Sequence, residues 1–418
     1  MNAESRTIQR TYLGLELLHT LAASFIWGIN TLFLLDAGLD NAEAFTANAF
    51  FTAGLVLFEV PTGVVADTRG RRMSYLLGTI TLAASTLLYL WMWRVSAPFW
   101  AWALASGLLG LGFTFFSGAV EAWLVDALAH AGFDGTLESV FAKGEIVQGV
   151  AMLGGSVAGG AVAQATNLGV PYVLRTIILA ITFVVALFWM RDLGFKSARG
   201  KKLAPEVKRV LRGSLQYGLG NPPVRWVMLA APFTGGVSIY AFYAMQPYLL
   251  ELYGDQQAYG IAGLAAAIVA GAQIVGGLLV PSVRRLFRKR TSVLLAATAG
   301  STAILAAIAL VPRFWAVLVL LVLWGLLFAA VTPIRQTYLN GLVASEQRAT
   351  VLSFDSLLSS SGGVVAQPLL GRSADVWGYP ASYAGSAAIQ ALALPFLWLA
   401  RRERAAADSI RQDTRRKP

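Results

Sequence analysis

The chain has 418 residues, 56% of them hydrophobic and 13% charged, and soluble domains carry about 25% charged residues, so lipid rather than water is its solvent. It has no cysteine and only two histidines, His19 and His130, far apart in sequence, which excludes a disulfide framework, a thiolate nucleophile, a cysteine metal site and a histidine-rich one. The net charge of +11 raises nucleic acid as a partner, but that role needs a clustered basic face on a folded soluble domain, and no polar stretch is long enough to build one.

A membrane-spanning helix takes roughly 20 apolar residues, because the hydrocarbon core is about 30 Å thick and a helix rises 1.5 Å per residue. Residues 11–36 form the first such stretch. Glu4, Arg6 and Arg10 precede it and no small-residue cleavage site follows, so it reads as a helix and not as a removed signal. Spans are expected next at 44–66, 73–93, 97–128, 139–165 and 171–190. A basic polar linker, 191–222, separates these from spans at 223–251, 257–281, 291–311, 314–342, 348–371 and 380–400. A basic tail, 401–418, reads as solvated or bound to lipid headgroups. The expected fold class is an all-α membrane protein of twelve transmembrane helices, with six-helix bundles over 1–190 and 223–400. The fifth span is the most glycine-rich, which lets a neighbouring backbone approach closely.

Basic residues set the orientation. They gather before span 1 (Arg6, Arg10), between spans 2 and 3 (Arg69, Arg71, Arg72), in the linker, between spans 8 and 9, and in the tail. The opposite side holds only Arg94, Arg175, Arg313 and Arg372, and carries the acids Asp36, Asp40, Glu43, Glu251 and Asp255. The expected location is the cell inner (plasma) membrane with both termini cytoplasmic.

The two halves repeat. At a shift of 214 residues Glu59 falls on Gln273, Glu121–Asp126 falls on Arg335–Asn340, and the basic 2–3 loop falls on the basic 8–9 loop. Further on the shift is 210, which places Glu145 on Asp355. Two parallel six-helix repeats form a transporter architecture, with a substrate site expected near the midplane. One chain already holds both halves, so a monomer is expected.

After span 2 comes Gly63-Val-Val-Ala-Asp67-Thr-Arg69-Gly70-Arg71-Arg72. Gly63 permits close packing and Gly70 a tight turn. Asp67 can accept from free N–H groups at a helix N-terminus, and Arg71 can grip a carboxylate bidentately. The segment resembles the loop 2–3 signature of the major facilitator superfamily. With the span count, the repeat and the basic linker, the resemblance covers essentially the whole chain, and it is most like the twelve-helix drug:proton antiporter branch. It implies that Asp67 faces the start of span 11 near Ala349–Val351 and that Arg71, with Arg72 beside it, pairs with Asp126. Gly155-Ser156-Val-Ala-Gly159-Gly160 partly resembles an antiporter element. Ser156 stands where that element has proline, and close helix packing explains the glycines equally well.

Ionisable groups inside the membrane cost roughly 2.5–3.5 kcal/mol or more at a helix centre and need a partner or water. Glu59, Glu121 and Asp355 are the proton-coupling candidates. Glu59 and Asp355 either come together at a span 2–span 11 seam or are each separately hydrogen-bonded, Asp355 for instance to Ser356 or Ser359. Glu121 and Asp126 point about 140° apart on one helix and serve different ends. A Glu121–Arg335 pair across the cavity is expected, either as an inner gate or with Arg335 free to hold an anion. Glu16 and His19 read as an interfacial anchor and a packing histidine. Further cavity candidates are Trp27, Asn30, Phe116, Tyr240, Tyr243, Gln246 and Gln336, because aromatic walls and amides suit amphipathic or cationic solutes.

No nucleophile–base pair, metal cluster or phosphate loop is visible, so no enzyme activity, cofactor or metal is expected. The expected function is secondary active transport of small organic solutes, coupled to protons, with efflux of amphipathic or drug-like compounds favoured. The alternative is an importer or facilitator of a polar or anionic metabolite, resting on Arg335. The expected partners are a small-molecule substrate, protons and membrane lipids, with no nucleic acid.

Overall fold

A computed structural model describes residues 3–195, 197, 205, 208, 212, 214–344 and 347–410. It is helical nearly throughout, with no strand among the described residues. Span 1 is α1 (Ala3–Trp27) and α2 (Asn30–Asp36), bent by 47° where they meet. Spans 2 and 3 are α3 (Asn41–Arg69) and α4 (Arg71–Arg94). Span 4 is α5 (Phe99–Thr114) and α6 (Ala119–His130), interrupted where Gly118 takes a φ of +66°. Spans 5 and 6 are α7 (Leu137–Ala165) and α8 (Gly169–Trp189). Then follow α9 (Pro222–Tyr253), α10 (Tyr259–Leu278), the short α11 (Val280–Leu286), α12 (Arg290–Leu310) and α13 (Phe314–Asn340).

The last two spans run together as α14 (Arg348–Ala391) and α15 (Ala393–Arg402). Gly378, at φ +80°, breaks α14 just before Pro380, and the apolar stretch Val351–Arg402 is 52 residues long. That is enough for two crossings. With the bent first pair, the helices match twelve spans. Large apolar side chains such as Leu57, Leu104, Leu278, Trp315 and Leu369 are exposed, as expected where lipid tails are the solvent.

The chain folds as two compact units. Unit 1 comprises residues 1–39, 50–206 and 255–267, and unit 2 comprises 40–49, 207–254 and 268–418. Small segments therefore group differently from the division at the linker: 40–49, the start of α3, packs in unit 2, and 255–267, the start of α10, packs in unit 1. Most of the basic stretch Lys196–Arg212 lies outside the described residues.

The sequence repeat reappears as a packing repeat inside each unit. In unit 1, spans 1 and 5 meet backbone to backbone: a Cβ on Gly159 would strike the Phe25 carbonyl, and one on Gly155 would strike Ser24 Oγ, which donates to the Ala151 carbonyl at 3.0 Å. In unit 2, spans 7 and 11 meet the same way: a Cβ on Gly362 would strike the Pro232 carbonyl, and one on Gly236 would strike the Gly362 backbone. Lipid gives little hydrophobic drive between helices, so close backbone approach supplies the dispersion energy.

The tail corrects an expectation. Arg401–Arg404 are exposed, but Asp408 and Ile410 are buried. The segment folds back on α12: Asp408 accepts from the Thr291 N–H at 2.8 Å and from its hydroxyl at 2.9 Å, and Arg290 donates to the Ala407 and Ser409 carbonyls at 2.6 and 2.8 Å. The free N–H groups at a helix start call for such an acceptor, which is why a basic tail gives up solvent here. Residues 411–418 lie outside the described residues. Asp408→Ala is expected to cost about 1–2 kcal/mol, the worth of a helix cap, read as a lowered midpoint of thermal unfolding in detergent. Loss of nothing beyond experimental scatter would mean the strap is idle.

Candidate functional site

The loop after α3 is built around a turn only glycine enters easily. Gly70 has φ +110°, and a Cβ there would strike the Asp192 carboxylate. Asp192 instead accepts from the Arg72 backbone N–H at 2.9 Å, capping the start of α4. Arg72 also donates through Nη2 to the Leu187 carbonyl at the end of α8. Arg71 pairs with Asp67 at 2.6 Å, not with Asp126 as expected. The two flank the turn at Gly70, one at the end of α3 and one at the start of α4, and that turn brings them together without help from α6. The expected seat of Asp67 near Ala349–Val351 falls on a segment in which the side chains of 349 and 350 lie outside the described residues. Gly63 has open space where a Cβ would go, so close packing does not require it.

Sequence reasoning missed Asp192 and Asp408. Each follows the last span of its half and caps the third helix of that half, α4 and α12 respectively. The signal in the sequence was an acid in a segment of mainly basic charge. Withdrawal of the Asp192 carboxylate from water raises its pKa, against the lowering effect of the Arg72 N–H and the nearby Arg72 and Arg71 charges. A raised folded-state pKa means ionisation works against folding, so stability falls as pH climbs from the ordinary carboxylate range through the folded value. Asp192→Asn, which keeps an acceptor oxygen for Arg72, is expected to flatten that slope. Melting curves from pH 4 to 7 test this, and an unchanged slope would refute it.

Unit 1 carries most of the embedded acids. Glu59 on α3 accepts from Ser117 Oγ at 2.6 Å. Glu16 on α1 is buried and accepts from Gln148 Nε2 on α7 at 2.6 Å. The charges of Glu121 and Glu145 bear on Glu16 and on the Tyr12 hydroxyl, so α1, α6 and α7 contribute to one acidic neighbourhood. Glu121 and Glu145 are exposed there. His19 is a packing histidine, its ring 4.3 Å from Phe116 and 5.9 Å from Phe113. Arg175, expected among the few basic residues of the outer side, is 1% exposed inside α8 and donates to Thr86 Oγ1 at 3.1 Å.

Unit 2 holds one embedded ion pair that the sequence assigned to other partners. Arg335 on α13 grips Asp355 on α14 with both terminal nitrogens, Nη2 to Oδ1 at 2.6 Å. Arg335 was expected to meet Glu121, and Asp355 to meet Glu59 or neighbouring serines. The fork geometry of guanidinium and carboxylate explains the outcome, because a bidentate pair satisfies both charges at once. A third bond from Nη2 reaches the Val227 carbonyl at 3.4 Å.

The remaining cavity candidates divide by burial. Tyr240 is fully buried, its hydroxyl on the Leu370 carbonyl at 3.2 Å and its ring 4.7 Å from Phe45. Phe116 packs on Tyr75 and His19, Asn30 accepts from the Tyr172 hydroxyl at 3.0 Å, and Gln246 is 1% exposed. These four are packed in this structure, Tyr240, Phe116 and Asn30 against named neighbours. Trp27 and Tyr243 are half-buried and Gln336 is exposed, so they stay accessible. Among the described residues no three His, Asp or Glu side chains gather as a metal site.

A family model described as Major Facilitator Superfamily matches residues 13–309 and 285–418. No curated protein matches the sequence significantly. The nucleoside transporter NupG is similar in structure, with a TM-score of 0.76 at 12% identity over 95% of this chain and 99% of that one. A D-xylose-proton symporter gives 0.67 at 16% identity over 94% and 97%. A bacterial homologue of the human lysosomal transporter Spinster gives 0.68 at 16% identity over 96% and 98%. At these identities the likeness establishes the fold.

Proposed function

The chain belongs to the Major Facilitator Superfamily, and on that premise we propose that it exports amphipathic or cationic organic solutes across the inner membrane in exchange for protons. The observation that carries this reading is the acidic neighbourhood of unit 1, where buried Glu16 on α1, held by Gln148 on α7, lies within electrostatic reach of Glu121 on α6 and Glu145 on α7. Acids grouped in a low dielectric either share protons or hold a cation, and proton/cation exchange uses both properties. Glu121, exposed among them, is the favoured coupling residue. Glu59 and Asp355 are the other candidates, each already holding a partner. Trp27 and Tyr243 supply aromatic surface, and Gln336 an amide.

The reading as a carrier of an anionic metabolite rested on Arg335. Asp355 already neutralises that guanidinium, so an anion would have to displace a bidentate carboxylate. Proteoliposomes with a pH dye inside, an imposed proton gradient, and lipophilic cations tested beside sugars and organic acids distinguish the readings. Proton movement dependent on both protein and cation, and lost in Glu121→Gln, is expected. Anion movement without proton flux, dependent on Arg335, would overturn the proposal.

A further inference from the structure

The two halves treat their matching basic loops differently. In unit 1 the arginines after α3 are answered by acids: Asp67 pairs with Arg71 at 2.6 Å, and Asp192 lies beside Arg71 and Arg72. At the repeat shift of 214, Arg71 falls on Arg285 and Asp67 falls on Pro281, so the second loop has the arginine without the acid. No acid occurs anywhere from Gln256 to Ser345. The acid that the tail brings to the start of α12, Asp408, is buried on Thr291. Arg285 and Arg288 are exposed, and neither has an acidic partner among the described residues.

The helix that leads into this loop is amphipathic. α11 has seven residues, far too few to cross a bilayer. Val280, Val283 and Phe287 recur at helical spacing and pack on Val293, Ile334 and the tail's Ile410, which fixes the inner face. Away from that face Leu286 is 80% exposed, and Leu278 and Leu279 are exposed just before it. Bare leucines are unfavourable in water, and unpaired arginines are unfavourable deep in hydrocarbon. Both are accommodated at the boundary between acyl chains and headgroups. There an arginine stem lies along apolar surface while its guanidinium reaches a phosphate.

We propose that α11 and the loop after it form a binding surface for an anionic phospholipid. Arg285 and Arg288 hold its phosphate, and its acyl chains lie along Leu278, Leu279 and Leu286. Charge selects the lipid: a zwitterionic headgroup brings its own cation, which opposes the two guanidinium groups, whereas an anionic one leaves a net attraction. The surface does not depend on the cargo or direction of transport.

The absence of cysteine lets Leu286→Cys carry a single bimane fluorophore at this surface. Leu104→Cys serves as the control, exposed on α5, which has no basic residue. The full chain is placed in bilayers of phosphatidylglycerol and phosphatidylcholine, and acyl-brominated versions of each lipid in turn report by quenching which one lies against the fluorophore. At position 286 phosphatidylglycerol should be enriched about fivefold over its bulk share, the worth of one basic residue engaged with an anionic surface. At position 104 neither lipid should be preferred. Arg285→Gln with Arg288→Gln should remove the enrichment. Pro281→Asp, which supplies the acid of the first loop four residues before Arg285, should reduce it with both arginines in place. Equal quenching by the two lipids at 286 would overturn the proposal. So would enrichment that survives the glutamine changes, equal enrichment at 104, or displacement of the lipid by inorganic phosphate, which would mark a site for the free ion.

Discussion

Asp355→Asn is expected to destabilise the folded protein by on the order of 3 kcal/mol, and Arg335→Met to do the same, while the double variant recovers most of the loss. Asp355 is 5% exposed and its partner's side chain 24%. Removing one member of such a pair leaves the other charged and poorly solvated, which costs about 3–5 kcal/mol for full burial. The partial exposure of Arg335 puts the Asp355→Asn value at the lower end. Removing both charges leaves no buried ion, and apolar replacements of buried pairs are often neutral. Arg335→Lys should rescue poorly, because a lysine ammonium cannot reproduce two parallel bonds to one carboxylate. Thermal unfolding followed by tryptophan fluorescence gives all four values. Additive losses in the double variant would show that the two residues do not act as a pair.

The same pair shows where sequence reasoning stops. Spans, repeat and loop motif were legible because each is written in local order: runs of apolar residues, a nearly constant shift, a fixed spacing of Gly, Asp and Arg. Partners of embedded charges are not local. Arg335 and Asp355 are 20 residues apart on different helices, and the rotation of each about its own axis decides whether they meet. Family likeness suggested Asp126 for Arg71, yet the intervening turn at Gly70 brings Asp67 within 2.6 Å. Asp192 and Asp408 were passed over for a related reason. An acid in a basic segment looks like a minor offset to net charge until the helix start it caps is placed beside it. Burial was the other blind spot: Tyr240 and Trp27 look alike as aromatic residues of spans, and only packing separates the fully buried ring from the accessible one.

Gly159→Ala and Gly362→Ala are each expected to cost about 2 kcal/mol, in the range found for overpacking a tight contact, whereas Gly154→Ala should stabilise by up to about 1 kcal/mol. All three lie within spanning helices, so intrinsic propensity alone would favour alanine everywhere. The difference lies in what the new methyl group meets. At 159 and 362 it meets a backbone carbonyl, of Phe25 and Pro232 respectively, and a backbone cannot turn aside as a side chain can. At 154 nothing lies within 4 Å. The pair at 159 and 362 also tests the repeat at the level of energy. One residue lies in span 5 against span 1, the other in span 11 against span 7, and equal losses would mean that each unit is held by the same first-to-fifth helix contact. Stabilisation at either position would show that its helices have room to separate, and that the glycine serves another purpose there. Because the partly antiporter-like element in α7 contains Gly159, the result bears on that resemblance too. A large loss of stability would account for its glycines by packing alone, and a small loss accompanied by impaired transport would leave them a part in the transport cycle.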